Sequence, residues 1–186
     1  MTGRYLERFA WLSVATGIVV FGLKLVAWRL TDSVGLLSDA LESTVNIGAA
    51  VVAVFALRAA NRPADSEHHY GHGKAEYLSA MVEGFLILAA SAAIIATAIL
   101  RLLDPRPLED VGIGLAISVV ASVLNGVVAY ILMRVGKQHR SMVLIADGKH
   151  LLTDVWTSVG VVVAVGAVAV TGWLVLDPVI ALVVGA

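Results

Sequence analysis

The amino-acid sequence predicts an all-α membrane protein, a six-transmembrane-helix bundle whose last helix is truncated. Of its 186 residues, 59% are hydrophobic and only 15% are charged, whereas soluble domains average about 45–50% apolar and about 25% charged residues. The mean hydropathy is +0.90. Five apolar stretches also reach the length of about 20 residues that a helix needs to cross a bilayer. Together these features predict that the chain lies in a lipid bilayer.

The predicted spans follow one another with short connections. The five full-length stretches run over residues 9–30, 34–59, 77–102, 112–133 and 142–170. A sixth begins near Leu174 and reaches Ala186. At about 1.5 Å per residue it is too short to cross a hydrocarbon core of about 30 Å. We therefore expect residues 1–186 to form a single transmembrane domain with its last helix cut short.

The distribution of lysine and arginine predicts how the helices are oriented. Eight of these residues fall on the side of the bilayer that holds the amino terminus, and three fall on the opposite side. Because cytoplasmic loops carry the excess of positive charge, the amino terminus is expected in the cytoplasm and the protein in the cell (inner) membrane, as a multi-pass protein. The formal net charge of -1 gives no reason to expect nucleic acid as a partner.

Helices two and five carry a shared pattern of polar and ionisable side chains, although an ionisable group costs about 2.5–3.5 kcal/mol at the centre of a membrane helix. The two segments share a spacing, in which an aspartate is followed by polar residues three and seven positions later. These residues are Asp39, Glu42 and Asn46 in helix two, and Asp147, His150 and Asp154 in helix five. Since residues four apart share a helix face, each helix presents its last two polar residues side by side.

The depth of these two pairs predicts that they meet. Glu42 and Asn46 lie 8–12 residues after Val34, and His150 and Asp154 lie 8–12 residues after Met142. Both pairs are then about 12–18 Å deep, near the membrane midplane. Helices two and five run antiparallel in this topology, as two inverted three-helix repeats would place them, with a binding site at the repeat interface. Four nitrogen and oxygen ligands suit zinc, and the chain has no cysteine to supply a thiolate.

A second interpretation of these polar groups is that they hold helices together through hydrogen bonds. It stays open above all for Asn46, whereas the cost of burying carboxylates favours a metal site for Glu42, His150 and Asp154 taken together. Asp39 and Asp147 are nearer the helix starts, where a favourable interaction with the helix dipole explains them equally well. Lys24 is explained by pairing or by snorkelling towards the membrane surface.

The loop between helices two and three holds three of the five histidines of the chain. Asp65, His68 and His72 form a candidate second cation site there, as a carboxylate and two neutral imidazoles. The alternative is a solvated polar loop whose histidines are incidental.

The two regions together resemble the cation diffusion facilitator (cation efflux) family, transmembrane domain. The resemblance rests on LLSDALES at 36–43, GHGKAE at 71–76, and ADGKHLLTD at 146–154. It implies a homodimer of six-helix subunits, not an enzyme, that exports zinc or a similar divalent cation in exchange for protons by alternating access. It also implies that Glu42, Asn46, His150 and Asp154 form the transport site, and that Asp65, His68 and His72 form a loop site. The C-terminal cytoplasmic domain usual in the family is expected to be absent from this chain.

The sequence departs from the familiar pattern of the family at helix two. Zinc exporters of the family carry Asp-x-x-x-Asp or His-x-x-x-Asp there, whereas this chain carries Glu42 and Asn46. Asn46 offers a neutral carbonyl oxygen, so the site holds two carboxylates, which balance one divalent cation. Zinc is the first choice of metal, with Fe²⁺, Co²⁺, Cd²⁺, Ni²⁺ and Mn²⁺ as alternatives, because such sites bind most of these ions.

Two other functions fit the same residues. An intramembrane metal-dependent hydrolase needs an open coordination position and a general base, for which Glu42 is the candidate. The sequence contains no H-E-x-x-H motif in support of it. The other function is that of a non-transporting metal-binding membrane protein, in which the histidines bind metal and nothing crosses.

Overall fold

The computed structural model describes residues 2–60, 74–139 and 141–185. These residues form six helices, which confirms the predicted all-α fold. The helices are α1 (Thr2–Thr31), α2 (Val34–Ala60), α3 (Lys74–Leu103), α4 (Val111–His139), α5 (Met142–Thr171) and α6 (Leu176–Gly185).

Four of the described helices are long and apolar enough to cross a membrane, through Trp11–Thr31, Ala80–Leu103, Val111–His139 and Leu144–Thr171. α2, with 27 residues, is not one of these four. α6 has 10 residues and is short, as the sequence predicts. α1, α3 and α4 extend beyond the predicted apolar stretches at polar residues. With 29 or 30 residues each, they are about 45 Å long and reach beyond a hydrocarbon core of about 30 Å into the headgroups.

The packing places α2 and α5 at the centre of the bundle. α2 contacts α1, α3, α5 and α6, whereas α3 contacts only α2 and α6 among the described helices. The three helix pairs that an internal repeat would relate, α1 with α4, α2 with α5 and α3 with α6, are each in contact. α2 and α5 are antiparallel, since Asp39 contacts Ser158 and the later Asn46 contacts the earlier Asp154.

Glycines allow α4 and α5 to approach closely. A Cβ atom added at Gly148 would lie 2.8 Å from Met133 Cγ and 3.0 Å from the carbonyl oxygen of Ala129. A Cβ atom at Gly136 would lie 3.0 Å from the backbone nitrogen of Ile145. Because backbone atoms cannot move aside as the end of a side chain can, both positions require glycine for this packing distance. Gly148 thereby fixes the position of α5 two residues before His150.

The end of the bundle that holds the α1–α2 connection is held together by polar contacts between helices. Asp177 of α6 is buried and accepts hydrogen bonds from the backbone nitrogens of Val34 and Gly35, at 2.7 and 3.1 Å, and from the Ser33 hydroxyl at 2.5 Å. It satisfies donors that the first turn of α2 leaves unpaired, and its charge is favourable there. α6 thus fixes the start of the helix that carries Glu42 and Asn46. The sequence analysis did not predict this contact of Asp177 with α2.

We predict that Gly148→Ala destabilises the protein by about 1–3 kcal/mol, the usual cost of overpacking, because its methyl group pushes α5 away from α4. The measurement is thermal unfolding of the purified protein in detergent. Gly160→Ala is the matched control, since Gly160 lies on the same helix and has nothing within 4 Å of an added Cβ. Equal unfolding temperatures for the two variants would contradict the close approach of α4 and α5.

Candidate metal site between α2 and α5

Asn46 and Asp154 join α2 to α5 directly. The Asn46 side-chain nitrogen donates to both carboxylate oxygens of Asp154, at 3.1 and 3.2 Å. Asp154 is buried, with 5% of its surface exposed. A buried carboxylate needs such donors, because hydrocarbon offers no water to replace them. The structure therefore brings together two of the four residues that the sequence predicts for the site.

Glu42 faces the same place from α2. Its carboxylate lies beside the Thr157 hydroxyl and within electrostatic reach of Asp154. Its Oε2 atom is buried and has no hydrogen-bond partner in the described part of the chain. A buried oxygen without a partner is costly and is a position where an ion or water is expected. Glu42 thus brings an available oxygen to the Asn46–Asp154 junction.

His150 lies one helical turn before Asp154 and interacts electrostatically with its carboxylate. Its side chain is exposed. Within residues 2–60, 74–139 and 141–185, no hydrogen bond joins His150 to Glu42 or Asn46. The structure therefore places the exposed His150 side chain at the edge of the junction, without a hydrogen bond to either α2 residue.

The described residues contain no group of three or more His, Asp or Glu side chains placed to hold a metal ion. A four-ligand site would require at least two side-chain movements. Asn46 now presents its amide nitrogen to Asp154, and a rotation of the amide exchanges that nitrogen for the carbonyl oxygen, which is a metal ligand. His150 must also turn from the exposed edge towards Asp154.

Asp39 takes part in a buried ion pair, so the helix dipole alone does not account for it. Lys24 of α1 contacts Asp39 Oδ1 at 2.8 Å, and both side chains are 1% exposed. The Ser158 hydroxyl donates to the same oxygen at 2.8 Å. Lys24 therefore pairs within the bundle and does not reach towards the membrane surface. Lys24, Asp39 and Ser158 join α1, α2 and α5 about one helical turn from the candidate site.

Asp147 and the three loop candidates remain to be placed in the structure. Asp147, which the sequence analysis left without an assigned role, lies beside the Ser13 hydroxyl of α1 and within electrostatic reach of His150. Asp65, His68 and His72, the candidate loop site, lie outside the described residues.

Sequence reasoning missed Ser158 and Thr157 as neighbours of the site. Ser158 follows Asp154 by four residues, as Asp154 follows His150, so it continues the same face of α5. That spacing was a usable signal. Nothing in the sequence indicated that Lys24 would pair with Asp39, because the two residues lie on different helices.

Comparison with known proteins agrees with the architecture. Residues 10–186 match the model of the family described as the cation efflux transmembrane domain. The chain is 55% identical over 185 residues to the uncharacterized transporter sll1263 of Synechocystis sp., covering 100% of this chain and 60% of that protein. It is 31% identical over 183 residues to the cation-efflux pump FieF of Salmonella arizonae, covering 98% of this chain and 61% of that protein. The chain thus spans about three-fifths of the length of these relatives.

We predict that Asn46→Asp lowers the unfolding temperature in EDTA and increases the stabilisation given by added Zn²⁺. The variant replaces the donor to Asp154 with a third carboxylate beside Glu42 and Asp154, and leaving the buried Asp154 unsatisfied costs about 1–3 kcal/mol. Zn²⁺ then neutralises the facing carboxylates, and binding to the folded state alone raises its stability. Asn46→Leu is the control, which loses the donor and gains no response to Zn²⁺. Wild-type stability of Asn46→Asp in EDTA would contradict the contact with Asp154.

Proposed function

The chain belongs to the cation efflux transmembrane domain family, and from this we propose that it forms the membrane-spanning path of a divalent metal exporter. The observation that carries the proposal is the direct contact of Asn46 with Asp154 beside Glu42 Oε2, which has no hydrogen-bond partner among the described residues. Carboxylates in a membrane helix are costly, and the pathway of a transported cation is one of the functions that keep them there. The contact lies between the central helices of the bundle, as in transporters built from inverted repeats.

In this proposal the metal is held by Glu42, Asn46, His150 and Asp154. Asp154 supplies a buried carboxylate, and Glu42 supplies its buried Oε2 atom. The carbonyl oxygen of Asn46 and the ring of His150 complete the set after the two movements described above. Nitrogen and oxygen ligands in fourfold coordination favour zinc, with Fe²⁺, Co²⁺, Cd²⁺, Ni²⁺ and Mn²⁺ as alternative substrates.

Protons are the proposed counter-substrate. A metal ion requires deprotonated ligands, so cation and protons compete for the same side chains. With the site open to the cytoplasm, the cation displaces protons from His150 and one carboxylate. With the site open to the other side, protons rebind and release the cation. Each state keeps positive charge next to the buried carboxylates, which avoids leaving them uncompensated in hydrocarbon.

Several further features belong to the same proposal. The amino terminus lies in the cytoplasm, the protein resides in the cell (inner) membrane, and two copies form a homodimer. Asp65, His68 and His72 bind a second cation in the cytoplasmic loop. The positive charge of the connecting segments supports the orientation. The resemblance of the loop motif to the family supports the second site.

We predict that His150→Ala and Asp154→Ala each reduce Zn²⁺-for-proton exchange to background in proteoliposomes, because each removes a ligand that also carries protons. The measurement is Zn²⁺ uptake together with the change in lumenal pH, each with and without an imposed pH gradient. His139→Ala is the control, since His139 lies exposed at the end of α4 and outside the site.

Undiminished exchange by both variants would contradict the site assignment. Zn²⁺ uptake by the wild type that neither moves protons nor responds to the gradient would contradict antiport while leaving the metal path intact. Wild-type protein that binds Zn²⁺ without any flux would instead favour the non-transporting alternative.

A further inference from the structure

The most deeply buried charges of the described chain are not among the proposed metal ligands. Lys24 and Asp39 are each 1% exposed and form an ion pair at 2.8 Å. Lys24 is also the largest fully buried side chain in the described residues. A pair of this kind costs free energy to desolvate and is weak evidence for stability alone. Its presence next to the candidate site therefore calls for an explanation other than helix adhesion.

Both charges of the pair are close enough to the proposed metal ligands to interact with them electrostatically. Glu42 and Asp154 each interact electrostatically with Lys24 and with Asp39. Asp39 precedes Glu42 by three residues on α2, and Ser158, which binds Asp39, follows Asp154 by four residues on α5. A cation held by Glu42 and Asp154 is thus repelled by Lys24 and attracted by Asp39, in a medium that screens charges weakly.

We propose that Lys24 and Asp39 are positioning residues that tune the affinity of the transport site for its divalent cation, Lys24 lowering it and Asp39 raising it. The inference rests on the proposed function and deepens it. In the intact pair the two influences largely offset each other, which leaves the two carboxylates Glu42 and Asp154 to balance a charge of about +2. A transport site must bind its ion tightly enough to load and weakly enough to release it. Lys24 supplies a fixed charge that favours release.

The ion pair also keeps this charge in place. Lys24 comes from α1, whereas Asp39 and Ser158 come from the two helices that carry the site. The Asp39 Oδ1 atom accepts both contacts, so the ammonium cannot swing away without leaving that oxygen. The position of Lys24 relative to the metal is therefore set by the same helices that supply the ligands.

The test measures the dissociation constants of Zn²⁺ by calorimetry and of Co²⁺ by visible absorption, on the full chain in lipid nanodiscs. We expect Lys24→Gln to bind both ions about tenfold more tightly, and Asp39→Asn to bind them about tenfold more weakly, from the Coulomb energy of one charge at such distances. The double variant should return to within about threefold of the wild type. The Co²⁺ spectrum should be unchanged throughout, because the ligands are unchanged.

A merely structural ion pair predicts a different pattern, in which both single variants bind more weakly because the site is distorted. That result, or unchanged affinity in both, would overturn the inference. If Lys24→Gln does not fold, the test rests on the affinity and the Co²⁺ spectrum of Asp39→Asn. Weaker binding with an unchanged Co²⁺ spectrum supports the proposal, and any other result for this variant contradicts it.

The exposed ion pair of Arg106 with Asp104, at 2.9 Å, provides matched controls. Arg106→Gln and Asp104→Asn break a pair that is 66% and 70% exposed, and should leave both dissociation constants within about twofold of the wild type, because water screens exposed charges. A wild-type protein that binds neither ion would overturn the proposed function itself. Binding by the wild type with both single variants weakened would overturn only the role of Lys24 and Asp39.

Discussion

The structure depends on one constraint, which is that charged side chains inside a bilayer must find partners within the protein. α2 and α5 meet this constraint together. Lys24 and Ser158 both donate to Asp39 Oδ1, while Asp39 Oδ2 has no hydrogen-bond partner among the described residues, and Asn46 donates to both oxygens of Asp154. Hydrocarbon offers no alternative hydrogen bonds, so these contacts fix which faces of the two helices meet. Within the described part of the chain, the buried Oε2 atom of Glu42 has no hydrogen-bond partner, which supports this junction as the place for a cation.

Three of the remaining helices, α1, α4 and α6, hold this junction in position. Gly148 and Gly136 bring α4 close to α5, and Asp177 of α6 holds the first turn of α2. α1 contributes Lys24, so a charge from a third helix lies next to the two that carry the candidate ligands. The bundle thus combines apolar packing, in which glycines set the helix distances, with a small number of polar contacts that set the helix register.

The sequence predicted the helices and the meeting of α2 with α5, because length, hydropathy and four-residue spacing are local properties that a single sequence displays. The contact between Asn46 and Asp154 followed from equal depths in antiparallel helices. The sequence did not reveal that Lys24 would pair with Asp39 or that Asp177 would cap α2, because which residues on different helices pair depends on how the helices pack. The full four-ligand site stays a prediction, because His150 lies at an exposed edge and Asn46 presents its nitrogen.

The most direct test of the account is X-ray absorption spectroscopy of the zinc-loaded protein with His68→Ala and His72→Ala, which remove two loop histidines as sources of signal. We expect nitrogen and oxygen ligands at about 2.0–2.2 Å, with the outer-shell scattering of one imidazole. Adding His150→Ala should abolish the imidazole signal, and adding Asp154→Ala should remove one ligand from the first shell. Zinc that stays bound with its imidazole signal intact after both substitutions would contradict a metal site between α2 and α5.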